Sequence, residues 1–527
     1  MTSSRARARR PLSAALTCVL GILLMLPGVA VASISHPRVV NDNPANFTPN
    51  VEGSGAAVHA LHQVSSTMYA GGTFATVSNA ARTTTYQRTN LMSFDATTGA
   101  LTSFSPNING AVWAIASSGS SLYVGGYFTT VNGVQRRGLV KLDATTGAVD
   151  PAFNANFGSG HVTELHLVNG RLIAGGSFPQ RLVALDPGTG ADTGYINVAI
   201  SGTVADNAGP TDIYRFAVDP AGTRLVAIGN FTTVAGQARS RAFMLTMGTT
   251  AELNDWYYQP LTKMCMGASV PAYLRDVDFS PDGSYFVVVA TGYIPAAPSG
   301  IGTDVCDAAA RFETDNASPT KPTWINYTGG DTLLSVAVTG AAVYVQGHQR
   351  WVNNPQGAGS TPGPGAVPRE GIAALNPTTG LALPWNPGKS RAIGGYELYA
   401  TSAGLWVGSD GTRFNGEYRR GIAFCSVAAP AAPAVPGAFK VIERPQLKGK
   451  ARVGRRLKVD LGAVSPSATG FKIVWKRGQS TIKHAKRRSY KLRPADRGTR
   501  ITVRVTYQRP GVATLKLKPS RSATVRA

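Results

Sequence analysis

The run Leu122-Tyr123-Val124-Gly125-Gly126-Tyr127-Phe128-Thr129-Thr130-Val131-Asn132-Gly133 decides the fold, because it recurs along the chain. Copies of its first part occupy residues 69–77, 173–178 and 227–234, with fainter copies at 343–347 and 405–409. A second motif, Asp-x-x-Thr-Gly or its Asn variant, occupies residues 95–99, 143–147, 186–190 and 376–380. A period of roughly 50 to 60 residues indicates a repeat architecture.

One period divides into four short apolar runs separated by Gly, Asn, Asp and Pro turns. In the clearest copy these runs are residues 112–116, 122–126, 139–142 and 149–153. Four antiparallel strands per period are typical of a propeller blade. The candidates for the innermost strand begin at Val58, Val112, Val162, Ile213, Leu274, Leu333 and Tyr396. We therefore predict an all-β fold whose main part is a seven-bladed β-propeller of four-stranded blades.

The two ends of the repeat region complement each other. The last repeat stops after Phe424, before its fourth strand, whereas residues 46–51 match residues 103–108 at the end of the first full repeat. We expect the N-terminal segment to complete the last blade, which would leave no open sheet edge.

Composition favours an all-β fold, and charge divides the chain into a nearly neutral part and a basic C-terminal part. Of 527 residues, 43% are hydrophobic and only 15% are charged, which argues against a helical bundle or a coiled coil. The net charge of +24 is uneven, because residues 438–527 hold 25 Lys and Arg against 3 acids. Residues 33–437 are nearly neutral, with 23 basic and 25 acidic residues. Such asymmetry indicates an anionic partner for the C-terminal part.

The strong copy at residues 122–133, with Arg137, Leu142-Asp143 and Thr146-Gly147 behind it, resembles the delta-60 repeat of secreted bacterial β-propellers. The resemblance covers most of residues 44–425 and is weak around 250–330. It implies a propeller in an exported surface protein, and it implies no established activity.

The N-terminus has the pattern of an export signal. Four arginines precede an apolar stretch from Leu12 to Val31 that ends in Ala30-Val31-Ala32, so we predict a signal peptide at residues 1–32. We therefore expect a secreted or cell-surface protein. Export also permits disulfides, and we expect a Cys265–Cys306 bond. Cys425 lies in a strand-like run, so we expect a buried, inert thiol there.

A Pro/Ala linker at residues 428–437 precedes a basic module at residues 438–527, in which apolar and basic residues alternate. With its central Trp475, the module looks like the Ig-like sandwiches at the ends of exported proteins. It is expected to bind an anionic envelope polymer: an acidic glycan, a phosphate chain or extracellular nucleic acid without sequence readout. The alternative is a basic surface that serves only solubility. The predicted polyanion-binding residues are Arg455, Arg456, Lys476, Arg477, Lys483, Lys486, Arg487 and Arg488.

On the propeller, the innermost strands carry a set of aromatic and charged residues. They could serve inter-blade packing, ligand binding or catalysis, and Asp276 with Glu397 is the pair of carboxylates that would suit a glycosidase. The candidate ligand-binding residues are His59, Trp113, Glu164, Tyr214, Arg215, Arg275, Asp276 and Glu397. We predict no metal and no cofactor, because Asp-x-x-Thr-Gly is also what a tight turn requires.

An arginine also recurs ahead of the third strand of the repeat. Either it caps backbone carbonyls and pairs with acids, or it forms a ring of anion sites. The residues concerned are Arg88, Arg137, Arg181, Arg241, Arg369 and Arg420.

Two functions remain open at this stage. In the first, the chain is a monomeric, non-enzymatic surface protein that binds a glycan or a protein on its propeller and is held on the envelope by the basic module. In the second, it is a secreted carbohydrate-active enzyme with the propeller as its catalytic domain.

Overall fold

A computed structural model provides the structure of the chain. It describes residues 1, 34–204, 209–266, 272–392, 394–427, 437–509, 512–519 and 522–526. The predicted signal peptide beyond Met1 and linker residues 428–436 lie outside the described residues. The fold is all-β, as predicted, and helical structure in the described ranges consists of the 3₁₀ turns Gln259–Thr262, Pro298–Gly300 and Pro494–Asp496. No helix in this part of the chain is long and apolar enough to cross a membrane.

Between residues 57 and 426 the described part of the chain has seven consecutive antiparallel sheets of three or four strands, with smaller two- and three-stranded sheets in the connections. Their first strands are Ala57–Val64, Ala111–Ser118, Val162–Val168, Asp212–Val218, Leu274–Phe279, Leu333–Val338 and Gly395–Thr401. Their second strands are Thr67–Thr73, Ser121–Tyr127, Arg171–Gly176, Arg224–Asn230, Tyr285–Ala290, Val343–Gly347 and Gly404–Ser409. Their third strands are Leu91–Asp95, Leu139–Asp143, Leu182–Leu185, Ala242–Met247, Ala308–Glu313, Ile372–Leu375 and Ile422–Ser426.

The first strands of the seven sheets form a closed ring. Each one contacts the first strand of the next sheet, and Gly395–Thr401 contacts Ala57–Val64. Between neighbouring sheets lie separate buried apolar clusters, such as the one that joins Leu122 and Val140 to Tyr69 and Leu91. These clusters pack each first strand against the neighbouring sheet and so hold the polar side chains of the first strands in place.

The fourth strands are shorter than predicted. Regular ones occur only in the fourth and fifth sheets of the described region, as Ala251–Leu253 and Trp324–Tyr327. In four other sheets a single bridge takes this place; the bridges are Phe94–Leu101, Leu142–Val149, Leu185–Asp192 and Leu375–Ala382.

In the seventh sheet the N-terminal segment lies beside the third strand. The amide of Ala45 donates to the carbonyl of Phe424 at 2.8 Å, and that of Asn41 donates to Ser426 at 2.9 Å. The segment 34–52 is thereby tied to the last sheet of the ring.

Every first strand contains a β-bulge at the same place, which the sequence did not predict. In the first sheet the register shifts between Val58 and Ala60, so that one extra residue stands opposite a single partner. Bulges bend a strand and re-aim its side chains. The extra residues are His59, Trp113, Thr163, Tyr214, Arg275, Leu334 and Tyr396.

The Gly-Gly pair of the repeat is explained by close approach of backbones. A Cβ atom on Gly125 would lie 2.7 Å from a methyl carbon of Val162 in the next sheet. A Cβ atom on Gly126 would lie 2.1 Å from the carbonyl oxygen of Ala111 in the same sheet. Any larger residue would push the first strands apart, because real Cβ contacts are never so short.

The recurring arginine caps backbone carbonyls, which was one of the two predicted alternatives. Arg88 donates to the carbonyls of Gln87 and Thr102 at 2.8 Å each. Arg369 makes the equivalent bonds to Pro368 and Leu383. In three other sheets a neighbour of the predicted residue makes the equivalent bonds; these neighbours are Arg136, Arg239 and Arg419. The predicted Arg181, Arg241 and Arg420 donate to other carbonyls.

We expect Arg136→Ala to lower the free energy of unfolding by about 1.5 kcal/mol, because it removes charge-assisted hydrogen bonds to the carbonyls of Gln135 and Asp150. Urea denaturation of the full chain would measure this. The neighbouring Arg137→Ala is the matched control: Arg137 is exposed, and its loss should change the stability by less than about 0.5 kcal/mol. Equal effects of the two variants would contradict the assigned register.

The predicted disulfide is present and joins Cys265 to Cys306 across 41 residues. In the chain-entropy description such a loop stabilises the folded state by about 4 kcal/mol. Cys425 is a buried free thiol, and burial raises its pKa well above the ordinary value.

Residues 437–526 form sheets around a core of their own. One sheet includes Gly470–Arg477, Arg500–Arg509 and Val512–Leu517, and a second includes Gln446–Lys448, Arg456–Asp460 and Ser489–Lys491. Both contribute to one apolar cluster around Trp475, which is fully buried and donates its indole N–H to the carbonyl of Arg487. The remaining strands in this part are Gly437–Ala438, Lys440–Glu443, Ala463–Ser465, Ser480–Thr481 and Ala523–Thr524.

Candidate functional site

An arc of aromatic rings lies where the first strands begin. The imidazole of His59 stacks on Trp113 at 4.2 Å and meets Tyr396 edge-on at 4.5 Å. Trp113 lies 5.9 Å from Tyr127, and Tyr127 stacks on His161 at 3.5 Å. Tyr127 is 49% exposed, so the arc presents an aromatic surface to solvent. We call these five residues the aromatic arc.

Two further predicted residues lie at the starts of the neighbouring strands. Tyr214 lies 5.4 Å from the ring of Tyr273, and the guanidinium of Arg275 stands 5.0 Å from the centroid of the same ring. Both are bulge residues, as are His59, Trp113 and Tyr396. The bulges therefore bring four predicted site residues, together with Tyr396, from five different sheets to the same level of the ring.

Arg215 forms the charged centre of the ring, just after the bulges. Its guanidinium pairs with Glu164 at 2.7 Å and donates to the carbonyls of Thr163 and Tyr396. Burial disfavours the charged guanidinium, but the negative charges of Glu164, Asp276 and Glu397 outweigh it and raise the pKa of Arg215. Burial alone would raise the pKa of Glu164, yet Arg215 and His166 bring it below its ordinary value.

The remaining carboxyls at this level are less well paired. Burial raises the pKa of Asp276 to about 7, although Arg215 opposes the shift. Burial also raises the pKa of Glu397 well above its ordinary value. In the same strand as Asp276, burial raises the pKa of Asp278 to about 8. The centre of the ring thus holds more acids than its one buried arginine can neutralise.

Asp276 and Asp278 are used to join two sheets. The carboxylate of Asp276 accepts N–H bonds from Val277 and Val336, and that of Asp278 accepts one from Val338 at 2.7 Å. These contacts fasten the fifth first strand to the sixth. They support a packing role for Asp276. Unlike Glu397, Asp276 does not line the cavity inside the ring.

A cavity of about 610 Å³ runs along the second half of the first strands. Glu164, Arg215, Glu397 and Trp113 lie at its inner end. Sequence reasoning missed the polar and aromatic residues that continue it, because the bulge reverses which side chains of each strand face inward. These residues are His62, Gln63, Ser117, His166 and Tyr399.

Burial keeps two histidines near the axis, His59 and His62, neutral. Burial, followed by the charge of Arg215, lowers the pKa of His59 to about 3. Burial, followed by His166, lowers that of His62 to about 4, and its imidazole lies 2.8 Å from the hydroxyl of Ser117. Neither histidine therefore offsets the acids at neutral pH.

The Asp-x-x-Thr-Gly motif forms turns. Asp143 accepts the amides of Thr145 and Thr146 and the hydroxyl of Thr146, which lowers the pKa of its carboxyl. Asp95 and Asp186 make the same bonds in their own turns. Among the described residues, no group of three His, Cys, Asp or Glu side chains could hold a metal ion.

A second concave surface, of about 590 Å³, lies on the basic module between residues 482 and 494. We call it the basic groove. Three predicted residues, Lys483, Lys486 and Arg487, line it, together with two cations that sequence reasoning missed, Lys491 and Arg493.

The other predicted cations do not line this groove. Arg488 stands 5.8 Å from the ring centroid of Phe471, and Arg456 faces Lys491 across paired strands. Arg455 adjoins the groove through backbone bonds to Leu492, and Lys476 donates to the carbonyl of Gln479.

Arg477 is engaged within the fold, since it pairs with the buried Asp496 at 2.7 Å. Of the eight predicted cations, it is the one that pairs with an acidic side chain in the described part of the chain.

Comparison with known proteins agrees with this architecture. Residues 121–153 match the family described as "Domain of unknown function (DUF5122) beta-propeller". No curated protein matches the sequence.

Several solved structures are similar. The designed protein Ika8 is 11% identical, with a TM-score of 0.40 over 72% of this chain and 98% of its own. The WD40 propeller domain of Doa1 is 11% identical, with a TM-score of 0.36 over 72% and 96%. The Dos1 propeller is 9% identical, with a TM-score of 0.40 over 73% and 96%. The family match and the ring of sheets together show an all-β chain that contains a β-propeller.

Proposed function

We propose that the protein is an exported, non-enzymatic binding protein of the cell surface. Its seven-bladed, delta-60-like propeller, completed by the N-terminal segment, binds a glycan. Its Ig-like C-terminal module, joined by the 428–437 linker, retains it on an anionic envelope polymer. A propeller is a platform for binding, and the two concave surfaces supply two different chemistries on one chain.

The aromatic arc is the observation that carries the glycan assignment. Sugar rings present faces of C–H bonds that pack on aromatic rings, and hydroxyls that bond to polar edges. The arc offers the exposed ring of Tyr127 next to Trp113, with His161 and Tyr396 at its ends. A contiguous set of rings favours a chain of sugars over a single small molecule.

The basic groove supports retention on a polyanion. Its cations come from one loop and one short strand, and seven of the eight predicted cations have no acidic partner among the described residues. The module carries 25 Lys and Arg against 3 acids, too few to neutralise the groove from within. The engaged Asp276 carboxylate gives no support to the alternative of a glycosidase.

A glycan array probed with the full chain would test the propeller assignment. We expect binding to one class of oligosaccharide, and we expect Tyr127→Ala to weaken it about tenfold, because an exposed aromatic contact is lost. Leu381→Ala removes another exposed apolar side chain, 56% accessible and outside the arc, and should leave binding unchanged. An array without binding, or equal losses in both variants, would contradict the proposal.

A further inference from the structure

The 610 Å³ cavity inside the ring is distinct from the aromatic arc. It opens where the first strands turn back into the second strands, beside Ser65 and Ser402, and Ile34 lies at the same opening. Trp113 separates the two surfaces, since it stacks on His59 of the arc and also lines the cavity. A small ligand could therefore enter from the side opposite to the arc.

The cavity holds two carboxyl groups and one cation. Glu164 and Glu397 line it, whereas Arg215 is the one buried arginine in its lining among the described residues. Arg215 is also fully engaged, by Glu164 and by two backbone carbonyls. The side chains of the lining therefore supply no cation that pairs with Glu397.

Glu397 is the acid with an open position. Its backbone carbonyl accepts a bond from Gln346, but no hydrogen bond to its carboxyl group occurs among the described residues. By contrast, Asp276 and Asp278 both accept backbone N–H groups. The half-buried Glu397 carboxyl therefore has free acceptor positions that face the cavity, and these suit a ligand that brings a positive charge or a donor.

The walls of the cavity suit a compact polar ligand with a flat face. Trp113 and Tyr399 are aromatic, and an aromatic face attracts a nearby cation. His62, Ser117 and His166 supply hydrogen-bonding groups within the same lining. Pockets of a few hundred cubic ångströms that combine apolar walls with a few polar groups are typical of small-molecule sites.

We propose that this cavity binds a sugar carrying a primary ammonium group, with the ammonium at Glu397 and Glu164 and the ring against Trp113. The sugar part rests on the proposed glycan function, whereas the ammonium part rests on the two carboxyl groups in the cavity lining alone. The site would then recognise a deacetylated amino sugar as a terminal unit or as a free molecule.

Titration calorimetry of the full chain with D-glucosamine and D-glucose tests the proposal, because the two probes differ by an ammonium in place of one hydroxyl. We expect glucosamine to bind at least about tenfold more tightly. Glu397→Gln should remove this preference, and Glu397→Asp, which keeps the charge, should retain part of it. Asp278→Asn is the matched control, since Asp278 is outside the cavity lining, and it should leave the preference unchanged.

Equal affinity for the two sugars, no binding of glucosamine, or a preference that survives in Glu397→Gln would each overturn the proposal. Circular dichroism would establish that each variant is folded. The array experiment with Tyr127→Ala reads the arc separately. Array binding without a glucosamine preference would defeat only the cavity assignment, and the opposite result would defeat only the assignment of the arc.

Discussion

A variant with Lys483, Lys486, Arg487 and Lys491 of the basic groove all changed to Gln is expected to bind long-chain polyphosphate at least about 100-fold more weakly at about 50 mM salt. Each cation that contacts the polymer releases a condensed counterion, so losing four contacts removes both affinity and salt dependence. The slope of log affinity against log salt should become shallower by about 3. Fluorescence anisotropy with labelled polyphosphate would measure both quantities.

The control for this variant changes the same amount of charge elsewhere. Lys440, Lys472, Lys516 and Lys518 are exposed and outside the basic groove. Changing all four to Gln lowers the net charge equally, but it should weaken binding less than about tenfold, because only long-range attraction is lost. Equal losses in the two variants would mean that the module acts through its total charge and that the groove is no site. Binding of the wild type that salt does not weaken would contradict the electrostatic account.

The second large effect concerns pH. Between pH 6.5 and 9 the full chain is expected to lose stability, and Asp278→Asn is expected to lose about 2 kcal/mol less over this range. The pKa of Asp278 is raised to about 8 by burial, so the folded state keeps a proton that the unfolded state has released above about pH 4. Stability therefore falls as pH rises towards 8. The asparagine keeps an acceptor for the Val338 N–H and has no proton to lose.

The choice of pH window separates acids from histidines. His59 and His62 have lowered pKa values of about 3 and about 4, so they make stability rise with pH only below about pH 6.5. Above that value the buried acids lower the stability as pH rises, and they are opposed only above about pH 8 by Lys389, whose pKa burial lowers to about 8. Urea denaturation at several pH values would measure the curves. Asp255→Asn, at an exposed carboxylate, should run parallel to the wild type, and a parallel curve for Asp278→Asn would show that Asp278 is ionised in the folded state.

The repeat made the strands of the ring predictable. Each of the seven predicted starts of a first strand, such as Val58 or Tyr396, falls within one residue of the observed start. Apolar residues alternate because one face of each strand is buried, and Gly-Gly pairs occur because backbones approach closely. Both requirements act on single residues and can therefore be recognised in the sequence. The alternation of the basic module was equally informative, since Arg456–Asp460 has its leucine and valine buried and its charged residues exposed.

The bulges and the arginine register were not predictable, for a shared physical reason. The bulge residues His59, Thr163 and Leu334 have no side-chain chemistry in common, because the bulge is a property of backbone pairing. Since a bulge moves every later residue of its strand, the shared cavity of His62, His166 and Tyr399 could not be predicted from alternation alone. Likewise, Arg136 and Arg137 are chemically the same, and only the register of the hairpin decides which one reaches the outer strand.

The hydrogen bonds between the N-terminal segment and the last sheet have a consequence for how the chain matures. Residues 41–51 leave the ribosome first among the described sheet residues, yet their partners at 420–426 are made some 370 positions later. Six sheets can form in order before the backbone amides and carbonyls of residues 41–51 meet these partners. Closure of the propeller is therefore the final folding event. We expect a chain shortened before residue 426 to form individual sheets but no closed propeller.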